Sequence, residues 1–154
     1  MCAGFRWLDE PMTSVPLQVL RQGLAVLDPI LKSHGFSFRE LPSGRGSGGP
    51  YASGIYVNGD RSLEIHFRFS LGLVTYRFGN RAVEHEFYMR AVLGNAGGNH
   101  YPGFSDDPLS GFENLAYDLQ NFATAFLTGN FAEFASHVAI AEDWKKIPGF
   151  MRLS

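Results

Sequence analysis

The sequence feature that most constrains the fold is a pair of alternating segments joined by the turn-forming triplet NGD. The segment PYASGIYV, residues 50–57, precedes the triplet, and RSLEIHFRF, residues 61–69, follows it. In the second segment every other residue is apolar, and the residues between them are polar or charged. This alternation around an Asn-Gly turn is typical of an antiparallel hairpin with one face in a core and the other in water.

The same hairpin predicts a strand register. A two-residue turn at the Asn-Gly dipeptide would place Ile55 opposite Ser62, which mixes apolar and polar side chains on one face. A loop of three residues would place Ile55 opposite Leu63 instead, which sorts the two kinds of side chain. We therefore expect a three-residue loop or a β-bulge at this point.

Two more alternating segments extend the hairpin into an antiparallel meander. Residues 36–41, FSFREL, form a strand before it, and residues 73–78, LVTYRF, form a strand after it. Residues 82–93 suit a helix, but their apolar positions also alternate as in a strand. We favour a helix because Met, Arg, Ala and Leu are better helix formers than strand formers.

Helical patterns flank the meander on both sides. Residues 14–34 place leucines on one stripe, with Pro29 expected to kink the helix and Gly35 to end it. Asp107 is expected to cap a second helix, whose apolar stripe runs without interruption to Phe126. A third helix follows after a tight turn.

The order of these elements predicts an α+β protein. An antiparallel meander of about four strands is packed on one face by the N-terminal and C-terminal helices. The chain has 154 residues, of which 45% are hydrophobic and 18% are charged, and no linker divides it. We therefore expect a single domain over residues 1–154.

Charge and composition exclude several classes of function. The net charge of −2 gives no electrostatic reason to expect a nucleic-acid partner. Cys2 is the single cysteine, so no disulfide can form within the chain and a reducing compartment is expected. No apolar run is long enough for a signal peptide or a membrane span, which indicates a cytoplasmic protein without membrane association.

The segment GRGSGG, residues 44–49, has the spacing G-x-G-x-x-G that is associated with phosphate-binding loops. A dinucleotide-binding loop needs a helix directly after the glycines, whereas here Pro50 and a strand follow. We therefore interpret the segment as a mobile connection between two strands. The alternative is an anion-binding loop formed by Gly44, Arg45, Gly46, Gly49 and Tyr51.

Polar side chains project from one face of the predicted meander. This face is expected to carry Tyr56, Glu64, His66, Arg68, Thr75 and Arg77. Such polarity can mean only that one face of an antiparallel sheet is in water. Because the helices are expected on the other face, arginine and tyrosine on an open face also have the composition of a binding surface.

The irregular stretch at residues 94–106 carries a second candidate site. Tyr101 and Phe104 lie near Asp106 in a glycine-flanked segment, and rings in an exposed loop are typical interface anchors. The alternative is that these rings fold onto the sheet and cover the core. His100 and the neighbouring acids match no metal-ligand spacing, so no metal site is predicted.

The sequence contains no motif for catalysis. It lacks a G-x-S-x-G elbow and paired carboxylates, and His85, between Glu84 and Glu86, is interpreted as a histidine on a helix surface. We expect no cofactor and do not expect an enzyme.

The segment ILKSHGF, residues 30–36, together with the meander that follows it, resembles small bacterial domains of unknown function. Some of those domains are encoded beside toxins and are regarded as immunity proteins. The resemblance covers about the first half of the chain and implies a binding protein rather than an enzyme. It assigns no catalytic residue, and the glycine-rich segment lies outside it.

These observations predict a protein-binding module, of the inhibitor or immunity type, that acts by occluding a partner such as a toxin or another enzyme. The polar face and the 94–106 loop would form the docking surface. One alternative is a small-ligand or anion-binding protein, or an enzyme, that uses the glycine-rich loop. The other is a homo-oligomer, for example a dimer, whose aromatic surface is its own interface.

Overall fold

A computed structural model describes residues 15–46, 49–68, 71–94 and 107–146. In chain order the elements are α1 (Val15–Leu31), a short 3-10 turn (Lys32–His34), β1 (Ser37–Gly46), β2 (Gly49–Asn58), β3 (Arg61–Phe67), β4 (Leu71–Phe78), β5 (Arg81–Glu84), α2 (His85–Leu93), α3 (Ser110–Phe122), α4 (Thr124–Leu127) and α5 (Phe131–Lys146). The strands form one antiparallel sheet in the order β1-β2-β3-β4-β5. The predicted α+β class and the meander are confirmed, with one strand more than expected.

The turn between β2 and β3 has two residues, Gly59 and Asp60, so the predicted three-residue loop is wrong. Gly59 has a φ of 61°. The first position of a type II′ turn requires a positive φ, which glycine adopts readily because it has no Cβ atom. The turn pairs Tyr56 with Leu63 on the core side. Ile55 consequently lies on the opposite face of the sheet.

The first helix largely follows its sequence pattern. α1 continues through Pro29 to Leu31, and the 3-10 turn follows it. Gly35 ends the turn in the left-handed conformation, with a φ of 89°, and its N–H donates to the Lys32 carbonyl. This confirms the predicted stop, while residue 14, the predicted first residue of the helix, lies outside the described residues.

The ambiguous segment at 82–93 contains both kinds of element. β5 ends at Glu84, and α2 begins at the next residue, His85. The preference for helix therefore holds for the larger part of the segment. The strand-like alternation reflects the first residues, where Val83 pairs with Tyr76 in the sheet.

The predicted apolar stripe after Asp107 is interrupted. α3 ends at Phe122, and Phe126 belongs to the short helix α4. Arg61 of β3 fixes this region to the sheet, because its guanidinium donates hydrogen bonds to the carbonyls of Phe126 and Gly129 at 3.0 and 2.7 Å. Asp107 accepts a hydrogen bond from the Leu109 N–H and so caps the turn that leads into α3.

The core lies between the sheet and the helices. The ring of Tyr76 contacts the rings of Tyr88 in α2 and Phe126 in α4, at centroid distances of 4.8 and 4.9 Å. α1 approaches α3 closely at Gly23, where a Cβ atom would lie 2.4 Å from the ring of Phe112. The fully buried aliphatic residues include Leu20, Leu27, Leu31, Leu63, Ile65, Leu115 and Leu119. Among the described helices, none combines the length and the apolar character needed to cross a membrane.

Candidate functional site

Each described helix packs against the same face of the sheet. The contacts are Asp28 of α1 on Tyr56, Tyr88 of α2 and Phe126 of α4 on Tyr76, Phe112 of α3 on Phe67, and Phe134 of α5 on Phe78. All four contacted sheet positions, Tyr56, Phe67, Tyr76 and Phe78, point into the core. The opposite face therefore has no helix on it within the described part of the chain, and we call it the open face.

The open face combines aliphatic and charged side chains from all five strands. Its main members are Arg39, Leu41, Tyr51, Ile55, Val57, Glu64, His66, Arg68, Leu73, Thr75, Arg77 and Glu84. Most of them are half-buried, as side chains on an uncovered sheet are, and Leu73 is 54% exposed. An exposed leucine beside arginine and tyrosine is a surface composition typical of protein interfaces.

The structure brings together Glu64, His66, Arg68 and Arg77 on the open face, where the sequence placed them. Tyr56 is the exception, and its predicted position is wrong. It is fully buried on the core face, and its hydroxyl donates a hydrogen bond of 2.6 Å to the Asp28 carboxylate. The physical reason is the two-residue turn, which shifts the strand pairing and so reverses the faces of β2.

At one end of the open face, Tyr51, His66 and Arg68 lie in contact, and we call this cluster the Tyr51 corner. The Tyr51 and His66 rings stack with centroids 5.0 Å apart and planes 20° apart. The Arg68 guanidinium carbon lies 5.9 Å from the centre of the Tyr51 ring. The hydroxyl end of the Tyr51 ring lies over Gly44 of β1. A Cβ atom at position 44 would come within 2.9 Å of the phenol oxygen.

The arginines of the described residues differ in their partners. Arg21 forms a two-pronged ion pair with Glu40, and Arg81 lies 3.5 Å from Glu142. By contrast, Arg68 and Arg77 form no ion pair with any described residue. Within the described part of the chain, the open face therefore carries two guanidinium groups that have no acidic partner.

A second polar cluster, Tyr76, His85 and Asp118, lies inside the core and was missed by the sequence analysis. The Tyr76 oxygen lies 2.6 Å from His85 Nδ1, and His85 Nε2 lies 2.9 Å from the Asp118 carboxylate. His85 is 2% exposed, so its predicted position on a helix surface is wrong. The available signal was Asp118, an acid three residues after Leu115 on the apolar stripe of α3.

The order carboxylate, imidazole, hydroxyl is the one that activates nucleophiles in many hydrolases. Here, however, Tyr76 and Asp118 have no exposed surface, so a substrate cannot reach the hydroxyl. A neutral His85 that accepts from the Tyr76 hydroxyl and donates to Asp118 satisfies both ring nitrogens. The cluster links β4, α2 and α3, and its role is structural.

A small cleft lies between the end of α1 and the junction of α3 with α4. Its volume is about 200 Å³, enough for a molecule only slightly larger than benzene. The His34 ring in its wall is held by a hydrogen bond of 2.8 Å between its Nδ1 and the Ile30 carbonyl. None of the site residues predicted from the sequence lines this cleft.

The glycine-rich segment joins two antiparallel strands. Gly44 pairs with Tyr51 and Gly46 with Gly49, so a strand, and not a helix, follows the glycines. This supports the interpretation as a strand connection. The Arg45 side chain lies outside the described part, and the anion-binding alternative stays a prediction.

The remaining predicted anchors, Tyr101, Phe104 and Asp106, lie outside the described residues, as does His100. Within the described ranges, no three His, Cys, Asp or Glu side chains are grouped so that they could hold a metal ion.

Comparison with known protein families, curated proteins and solved structures gives no match to this chain. The resemblance to immunity-type domains therefore stays a prediction, and the function is argued from geometry.

Proposed function

We propose that this protein is a protein-binding module that receives a partner on the open face of its sheet. The observation that carries the proposal is the exposed, mixed aliphatic and cationic composition of a sheet face that the described helices leave uncovered. Antiparallel sheets often have one face in water, but such a face is usually dominated by short polar residues. Leu73, Ile55 and Val57 depart from that pattern.

The size of the open face suits a protein partner. Five strands about 4.8 Å apart give a width of about 20 Å. β2, β3 and β4 have seven to ten residues and are about 23–33 Å long, while β5 has four residues and is about 13 Å long. The resulting area of about 500 Å² is a large part of the roughly 800 Å² that each partner contributes to a stable interface. A small metabolite would contact only a fraction of it.

The chemistry of the open face suits a partner with apolar side chains surrounded by acids. Leu73 offers an anchor at the β4 end, and Arg68 and Arg77 lie on the same face without ion-pair partners among the described residues. Opposite charges at an interface accelerate association and fix the orientation of the complex. The resemblance to immunity-type domains favours an inhibitor that covers the working surface of a partner enzyme.

The test uses three forms of the full-length protein immobilised at equal density. These are the wild type, the open-face variant Leu73→Glu/Arg77→Glu, and Ile140→Glu as a matched control on α5, where Ile140 is 44% exposed. Proteins bound from a lysate of the source cells are quantified by mass spectrometry. We expect at least one protein that the wild type and the control retain equally and that the open-face variant loses by more than about tenfold, or 1.4 kcal/mol.

Equal retention by all three forms, or no retained protein, would contradict the proposal. Light scattering over a range of concentrations separates the homo-oligomer alternative. A wild-type dimer that the open-face variant cannot form would identify the occupant as a second copy of the chain and not a different protein.

A further inference from the structure

We propose that the Tyr51 corner is the point on the open face that recognises a carboxylate, so that the partner places an aspartate or glutamate side chain against Arg68 and His66. This inference rests on the proposed function and names the chemistry of the partner. Three observations carry it: the absence of an acidic partner for Arg68 among the described residues, the contacts that position the Tyr51 ring, and the set of polar groups at the corner.

The first observation is that Arg68 has no ion-pair partner among the described residues. Arg21 and Arg81 are paired with acids, and Arg61 donates to two backbone carbonyls. Arg68 has no such contact with the described residues and is instead held near the face of the Tyr51 ring. A guanidinium fixed in position without a counter-charge is a ready site for an anion.

The second observation is that the Tyr51 ring is locked in place. Its ring stacks on His66, and its hydroxyl end lies over Gly44 at a distance that leaves no room for a Cβ atom. A side chain at position 44 would push the ring away. The first glycine of GRGSGG is therefore required by the packing of Tyr51, which is a different role from cradling a phosphate.

The third observation is the set of groups at the corner. Arg68 offers a planar fork of N–H donors that matches the two oxygens of a carboxylate, and it shares the Tyr51 ring with the His66 ring, which stacks on it. Glu64 lies two residues from His66 on the same face and adds a negative charge. That charge weighs more against a phosphate dianion than against a single carboxylate, which favours an acidic side chain as the ligand.

The experiment follows the Arg68 Nε–Hε signal by NMR while sodium acetate replaces sodium chloride at constant ionic strength. We expect saturable shifts of the Arg68 and His66 signals with a dissociation constant on the order of 10 mM. The variant Arg77→Gln, on the same face but outside the corner, should show the same shifts. The variant Arg68→Gln should show none at His66, and Gly44→Ala should weaken the affinity several-fold by displacing the Tyr51 ring.

Two results of the titrations with small anions would overturn the inference. One is the absence of saturable shifts with acetate. The other is saturation by sodium phosphate at concentrations where acetate has no effect, which would identify a phosphate site. Retention of the captured partner by Arg68→Gln at the wild-type level, with loss by Leu73→Glu/Arg77→Glu, would also reject the carboxylate site while leaving the proposed function intact. Equal retention by every variant would reject the proposed function itself.

Discussion

Two clusters that each contain a tyrosine and a histidine lie on opposite sides of the same sheet. Tyr76 and His85 lie on the core side with Asp118, and all three are buried. Tyr51 and His66 lie on the open face with an arginine, and both remain partly exposed. The same types of residue thus differ in how their polar atoms are satisfied. The buried set is hydrogen-bonded inside the protein, as a buried polar group must be, whereas the set on the open face is partly exposed to solvent.

The largest expected effect comes from the acid of the buried cluster. Asp118→Ala should lower the free energy of unfolding by about 3 kcal/mol, the upper end of the cost of an unsatisfied buried group, because it removes the carboxylate that bonds a buried imidazole. Urea denaturation monitored by circular dichroism measures the change. The matched variant on the open face, Glu64→Ala, should change stability by less than about 0.5 kcal/mol. Similar values for the two variants would remove the distinction between the two sides of the sheet.

The second effect compares the two tyrosine hydroxyls. Tyr76→Phe should cost about 1–3 kcal/mol, because it removes the group that satisfies His85 Nδ1 in the core. Tyr51→Phe should cost less than about 0.5 kcal/mol, since its hydroxyl has no hydrogen bond to the described residues and its ring can still stack on His66. Thermal or urea unfolding of both variants provides the measurement. A larger loss for Tyr51→Phe than for Tyr76→Phe would reverse the comparison.

A smaller effect concerns Tyr56, which lies on the core side of β2. Burial, and then its hydrogen bond to Asp28, raise the pKa of Tyr56 above the ordinary value. The unfolded chain therefore loses this proton first when the pH rises past about 10, so the stability contributed by Tyr56 is present below that pH and is lost above it. Tyr56→Phe should cost about 1 kcal/mol at pH 7.

The pH profile of the same variant gives the sharper test. Urea midpoints measured from pH 8 to 11 should fall less steeply for Tyr56→Phe than for the wild type, because the variant has one buried phenol fewer. Identical slopes would show that the Tyr56 proton does not contribute to the alkaline loss of stability.

The smallest expected effect on stability comes from the comparison of two arginines: Arg21, which pairs with Glu40, and Arg68, which has no acidic partner among the described residues. The hydrogen bond from Arg21 lowers the pKa of Glu40, while burial opposes this shift. The stability from this pair is therefore present above the ordinary pKa of a glutamate, about 4.3, and is lost as the pH falls through the lowered value. Because both side chains are more than a third exposed, Arg21→Gln should cost at most about 1 kcal/mol at pH 7 and less in high salt.

The matched variant is Arg68→Gln, which should leave the unfolding free energy within about 0.5 kcal/mol of the wild type at every pH. The difference between Arg21→Gln and the wild type should shrink as the pH falls below about 4.3 and disappear once Glu40 is protonated in both proteins. A destabilised Arg68→Gln protein would indicate that Arg68 has a structural role and would argue against its availability to a partner.

Local sequence patterns predicted most of the elements because each depends on neighbouring residues. The leucines of α1, the alternation of β3 and the stop at Gly35 follow from helix and strand periods and from the conformational freedom of glycine. The error at the hairpin had a local cause as well. A two-residue turn at Gly59 and Asp60 satisfies the same pattern as a longer loop, and the choice between them reverses the faces of β2.

The position of His85 could not be predicted from its neighbours. Glu84 and Glu86 on either side suggest a solvated surface, whereas the residue that satisfies the imidazole, Asp118, lies 33 positions away in sequence. The Tyr51 corner depends on distant residues too, since it combines side chains from β2 and from the end of β3 with the glycine of β1. Only strand pairing brings them together.

By itself, then, the sequence determined the class of the fold, the order of its elements and the existence of one polar sheet face, because periodicity and turn chemistry act over a few residues. The tertiary structure alone decided which tyrosines are buried and which histidine has an acid as its partner. It also decided which arginines have no ion-pair partner among the described residues. Those outcomes depend on strand register and helix docking, where the free energy of burial is set by residues far apart in the chain.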